Sequence, residues 1–386
     1  MKTSLFKPGK IVVTLLIGLF AGSSLAQSGS LRNEFPELAN LFNAFDVTQA
    51  ELFDSIAEIN ANPATQEARN KLRMELDMAA DMDMRDMMSM SHDDHGEMNM
   101  VMTGPYGELE VQARVQLYGL VRRQHSAAAA GEAFANSAAL TVHSSRVLSY
   151  GRKFENAIWD IFANTSTTIY QKRMAVDEAI QSYLNEDPRH AVATSPKSAD
   201  LYLSNPYAGS LKSAFPRLSG MMWANQWLQL ASLEAVIIGQ VDPQFAGSVP
   251  VTLERYWNKI GSDAGMTMFP PPSEMPSAPA ISPQLYSQAP QAAIIIDNLN
   301  MLEAALTDVI AYPNLEDRDT VIDAVVEQYT ADEMYIADTM DYLLNALRGG
   351  IFNQGGPAIG ELGRSERNRS RAAMDMQHTM IMSSPN

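Results

Sequence analysis

From Glu108 to Leu184 the chain runs without a proline, is rich in alanine, and repeats apolar residues three and four positions apart. That spacing puts the apolar side chains on one face of a helix, so the stretch reads as two or three amphipathic helices, with breaks expected near Gly131 and near residues 166–168. The alanine run at 127–130 lets neighbouring helices approach closely. Phe154, Ile158, Trp159 and Ile161 supply a bulky stripe for them to pack against.

Helical patterning continues on both sides. Asp46 followed by Gln49, with Phe45 before them, reads as a capping box and staple for a short helix over residues 48–60. Pro63 stands where a first helical turn tolerates it. A helix is expected over 220–238, carrying Met221, Trp223, Trp227, Leu230, Leu233 and Ile237, and another over 291–310. Two more follow at 317–329 and 332–347, the second opening at Thr330 with Glu333 and ending at Gly349 and Gly350. Residues 187–216 read as irregular. Strand-like runs are few and short, so the fold class expected is all-α: a multi-helix bundle-like domain with long irregular loops and mobile Met-rich segments.

Cysteine is absent, so packing alone must hold the chain, and thiolate metal sites, thiol nucleophiles and covalent haem attachment are excluded. At the start, Lys2, Lys7 and Lys10 precede an apolar run from Ile11 to Ala21 and a small-x-small site, Ser24-Leu25-Ala26. This pattern predicts a signal peptide cleaved after Ala26, and its apolar core is shorter than the roughly 20 residues of a permanent span. A periplasmic or secreted protein follows, with no permanent membrane span. The formal net charge of −17, or −20 without the three leader lysines, argues against a nucleic-acid partner.

The organisation expected is a signal peptide (1–26), an N-terminal helical region (27–73), a Met/His/Asp-rich segment (74–102), a helical core (103–240), a Pro-rich excursion or lid (241–290), C-terminal helices of the same domain (291–350) and a Met-containing tail (351–386). The excursion holds nine of the 20 prolines, more than a short connection needs.

The unusual chemistry is thioether. Ten methionines fall between Met74 and Met102. Met82, Met84, Met88, Met90, Met98, Met100 and Met102 surround His92 and His95, and Met374, Met376, His378, Met380 and Met382 repeat the alternation near the end. Methionine sulfur is neutral and polarizable and binds Cu(I) or Ag(I) without losing a proton, while imidazoles and the adjacent carboxylates suit Cu(II). These fourteen side chains are the predicted metal ligands, and copper or silver the predicted ion, held for sequestration or delivery. Exposed methionines also suit oxidant quenching or the docking of a periplasmic protein partner.

No enzyme reaction is legible: Glu-x-x-His, His-Glu-x-x-His, the nucleophile elbow and the phosphate loop are all missing. Two further clusters stand out. His143, Arg146 and Tyr150 share one helical side, with Arg152, Lys153 and Glu155 beside them and Arg122 or Arg123 in the same region, fit for an anion or for an internal polar network. Trp223 and Trp227 with Glu234 form a face that suits either core packing or a small organic ligand. These are the basis of the alternative, a helical enzyme or binding protein for a small molecule, with a structural or docking protein as a third reading.

Overall fold

Several of the prolines stand at helix starts, where a missing N–H costs nothing and the fixed φ suits the first turn. The computed structural model describes residues 30–81, 104–261 and 275–350. In chain order its helices are α1 (Ser30–Glu34), α2 (Pro36–Ala61), α3 (Gln66–Asp81), α4 (Glu108–Val121), α5 (Ala127–Asn136), α6 (Val142–Ala163), α7 (Ile169–Glu186), α8 (Ala199–Leu203), α9 (Ser210–Ala214), α10 (Pro216–Val241), α11 (Ser248–Gly261), α12 (Ala278–Ile281), α13 (Pro283–Gln288), α14 (Pro290–Ala311), α15 (Arg318–Thr330) and α16 (Thr339–Gly350). The fold is all-helical; the described residues hold no strand, only an isolated antiparallel bridge between Lys197 and Ile336.

α2 and α10 are built alike. Each has 26 residues, opens with Phe-Pro, and has its N-cap phenylalanine at nearly the same backbone angles. Each stops at a residue, Asn62 or Asp242, whose side chain accepts a backbone N–H two positions on and starts a 3-10 turn at the following proline.

α10 and α14 are buried almost from end to end, as expected of helices that are apolar on every side. Around them pack α2, α6 and α13, with α4 and α11 against α10 and α9 and α15 against α14. Polar side chains of α14 fasten its surroundings. Asp308 accepts the backbone N–H groups of Leu211 and Gly209 at 2.7 and 3.1 Å. Asp297 accepts the Ala278 N–H and the Tyr342 hydroxyl, the latter at 2.6 Å. Asn298 donates to the carbonyls of Ala193 and Ser195 and accepts the Lys197 N–H.

Four local expectations are corrected. Asp46 caps no helix: α2 runs through it, and its buried carboxylate faces Arg152 of α6 instead of an N-terminus. Gly131 lies inside α5; the chain breaks earlier, and Ser126 caps the new helix by accepting the Ala129 N–H. Thr330 is the last residue of α15 and its hydroxyl donates back to the Val326 carbonyl, so the next helix begins only at Thr339, after the turn that carries the Lys197 bridge. The irregular segment expected at 187–216 carries α8 and α9. Of the Pro-rich stretch, the described residues form α11, α12 and α13, and all three pack against α10.

Candidate functional site

The predicted metal ligands Met82, Met84, Met88, Met90, His92, His95, Met98, Met100 and Met102, and likewise Met374, Met376, His378, Met380 and Met382, lie outside the described residues, as does the predicted leader. The structure describes the two points between which the first of these segments is strung. On the near side is α3, where Met74 and Met78, one turn apart, are 66% and 58% exposed. Between them Asp77 accepts from Arg73 Nε at 3.0 Å and from the Tyr312 hydroxyl at 3.0 Å, with the Arg73 guanidinium 4.8 Å above the Tyr312 ring. On the far side, Gly104 presses so closely on the Ala214 carbonyl that a Cβ there would lie 2.3 Å from its oxygen. Tyr106 then stacks on Phe215 at 4.7 Å and donates to Asn60 Oδ1 at 2.5 Å.

Asn60 joins the two ends. Its Nδ2 donates to the Ile310 and Ala311 carbonyls at 2.9 and 3.0 Å, and its own carbonyl accepts from Arg69 of α3. The last turn of α14 has carbonyls without intrahelical partners. Asn60 satisfies two of them and ties α3, Tyr106 and α14 into one base for the methionine-rich segment.

A second polar assembly lies where α2, α6, α10 and α14 meet. Arg152 of α6 faces three carboxylates: Asp46 Oδ1 at 2.8 Å from Nε, Glu303 Oε1 at 2.6 Å from Nη2, and Glu155 in contact with Nη1. Gln226 of α10 donates to Glu303 Oε2 at 3.1 Å and to the Asn300 carbonyl at 3.2 Å. All are buried. Gln226 Oε1, both side-chain polar atoms of Asn300, and Gln49 Nε2 have no hydrogen-bond partner among the described residues. Burial pushes the Asp46 carboxyl up to about 8 against the pull of Arg152, and Glu155 up to about 7. Burial also opposes the Arg152 charge, but Glu155, Glu303 and Asp46 together hold its pKa above the usual value. Three carboxylates against one guanidinium leave an excess of acid, which protons offset near neutrality.

This centre divides the polar cluster expected on α6. Arg152 and Glu155 point inward to it, while Arg146 and Lys153 are exposed. Tyr150 donates to the Tyr183 carbonyl at 2.7 Å and accepts the Asp187 N–H at 3.2 Å. His143 meets His190, with ring centroids 5.9 Å apart. Arg122 lies against Tyr118 and Trp257 instead. Arg152 and Glu155 thus belong to an internal polar network. No motif in the sequence marks Asp46, Gln226, Asn300 and Glu303 as partners; their signal is the single acid or amide set inside an otherwise apolar helical run.

The tryptophan face is core. Trp227 is fully buried and Trp223 nearly so, and Lys259 Nζ sits 4.8 and 5.6 Å from their ring centroids, within cation–π range. Glu234 accepts the Gln284 N–H at 2.9 Å and the Ser282 hydroxyl at 3.3 Å, and burial pushes its carboxyl up to about 7. It organises the start of α13.

Among the described residues no three histidine, aspartate or glutamate side chains are gathered as ligands for a metal ion, and no helix is long and apolar enough to cross a membrane. No protein-family model matches the chain, and no curated protein or solved structure is significantly similar to it.

Proposed function

We propose that this chain is an exported, periplasmic or secreted protein that binds Cu(I) or Ag(I) through its methionine-rich segments, for sequestration or delivery without turnover. The observation that carries the reading is the alternation of thioethers with imidazoles at 82–102 and again at 374–382 in a chain with no cysteine. Thioether is then the one soft ligand available, and it selects monovalent copper or silver. The pinned base supports the same reading: Asn60, Tyr106 and Asp77 fix both ends of the first segment, and the exposed Met74 and Met78 extend its ligand series onto α3.

X-ray absorption on the Cu(I)-loaded protein tests the reading. Sulfur scatterers at thioether distance, lost when Met82 to Met102 are replaced by leucine, are expected; a shell of nitrogen and oxygen alone would overturn it.

A second reading, a helical enzyme or binding protein for a small organic molecule, is favoured by the unpartnered amide atoms of Gln226, Asn300 and Gln49 beside the Arg152 carboxylates. Buried polar atoms without partners commonly mark water or a ligand. Under this reading a bound organic molecule would protect the α2, α6, α10 and α14 crossing from hydrogen exchange, with no dependence on the methionines.

A further inference from the structure

His143 and His190 come from separate elements and meet at one edge of α6. His143 is the second residue of that helix; His190 lies in the turn after α7. Tyr150, seven residues beyond His143, falls on the same helical face about 10 Å along the axis. Its hydroxyl accepts the Asp187 N–H at 3.2 Å and donates to the Tyr183 carbonyl at 2.7 Å. The turn is thus fastened to the face that carries His143. Within the turn, the His190 N–H donates to the Asp187 carbonyl at 3.0 Å, and His190 Nδ1 stands 2.6 Å from Asp187 Oδ2.

That contact fixes the ring. With Nδ1–H directed at a carboxylate, Nε2 carries the free lone pair, the arrangement in which a carboxylate orients a metal-binding imidazole. Neither ring nitrogen of His143, nor Nε2 of His190, has a hydrogen bond among the described residues, and the two rings stand 5.9 Å apart at 70°. With metal–nitrogen bonds of about 2.0–2.1 Å, two imidazoles sharing one ion have centroids roughly 5.2–6.4 Å apart as the angle at the metal opens from tetrahedral to linear. The observed separation falls within that interval. His143 is half-buried, so an ion can reach the pair from solvent.

We propose that His143 and His190 bind one borderline divalent cation, Zn(II) or Cu(II), with water completing its coordination and Asp187 acting as the positioning residue for His190. Imidazole suits these ions, whereas the methionine segments suit monovalent soft ones. The site therefore stands independently of the soft-metal reading and can fail or hold without it.

The test uses the full chain with His92, His95 and His378 replaced by glutamine, which leaves His125, His143 and His190 as the histidines. Labelled with [15N]histidine and titrated with Zn(II), this protein should show the His143 and His190 ring signals shifting together and saturating at one equivalent. His125, whose Nε2 is bonded to the Leu120 carbonyl at 2.9 Å, should stay in place. Adding His143→Gln should abolish saturable binding at unchanged helical content, and Asp187→Asn should weaken it about 10- to 100-fold. Unmoved or independently moving His143 and His190 signals, or Zn(II) affinity unchanged by His143→Gln, would overturn the proposal.

Discussion

Arg152 on α6 and Glu303 on α14 meet 2.6 Å apart in the interior, although 151 residues separate them in the chain. The same guanidinium reaches Asp46 of α2 and Glu155 of its own helix, so one side chain fixes the mutual register of three helices. A buried charge that loses its partner cannot recover its hydration, which makes this contact far more costly to break than a surface pair. Arg152→Met should destabilise the protein by about 3–5 kcal/mol in urea unfolding. Combining it with Asp46→Asn and Glu303→Gln should recover part of the loss. A change below about 1 kcal/mol, the scale of an exposed pair, would show that the cluster is not the buried anchor described.

The pH dependence follows from five buried acids. Burial raises Asp46 to about 8 and Glu155, Glu234, Asp297 and Asp308 to about 7. In the unfolded chain such groups release their protons near pH 4. Between that value and 7 to 8 the folded state holds more protons, so its stability falls as pH rises. The contribution is complete below the unfolded pKa and lost through the folded one. The thermal midpoint should drop between pH 6 and 9, and Asp46→Asn should flatten the slope. A midpoint rising over that range would contradict the assignment of protonated acids to the core.

Packing between α6 and α14 gives a third expectation. A Cβ added at Gly151 would lie 2.3 Å from the Leu299 Cδ2 methyl. The methyl can move but the two helices are tightly set, so Gly151→Ala should cost about 1–3 kcal/mol, the usual range for overpacking. Gly131→Ala, where nothing stands within 4 Å, is the control; it should be neutral or mildly stabilising by helix propensity. Equal effects at both positions would argue against the close approach.

Asn60 supplies a fourth. Asn60→Ala removes the donor to two α14 carbonyls and the acceptor of the Tyr106 hydroxyl. Loss of buried partners of this kind costs about 1–3 kcal/mol each. Tyr106→Phe, which removes one bond and keeps the stack on Phe215, should cost less than Asn60→Ala in the same unfolding measurement. The reverse order would remove Asn60 from the centre of the base.

The sequence made the helices legible because their apolar period is long and sustained: the helix expected at 220–238 is found at Pro216–Val241, and that at 291–310 at Pro290–Ala311. It misled where a polar residue has two uses. Asp46 followed by Gln49 matches a helix cap as well as it matches a buried pair, and only the approach of Arg152, 106 positions away, decides between them. Thr330 failed for the same reason, its hydroxyl closing α15 rather than opening a helix. The α6 cluster was visible as a run of charged residues, but which of them turn inward depends on α2 and α14. The Asn60 base was not legible at all, since its parts lie at residues 60, 69, 106 and 310.

Competition for Cu(I) and Ag(I) against a chromophoric chelator tests the central claim most directly. The full chain is compared with a variant in which Met82, Met84, Met88, Met90, His92, His95, Met98, Met100 and Met102 are replaced. Tight monovalent-ion binding by the parent, lost in the variant at unchanged helical content, is the predicted result. Equal affinity in the two proteins, or no competition by either, would contradict soft-metal capture by this segment and leave the Arg152 centre as the place to seek a ligand.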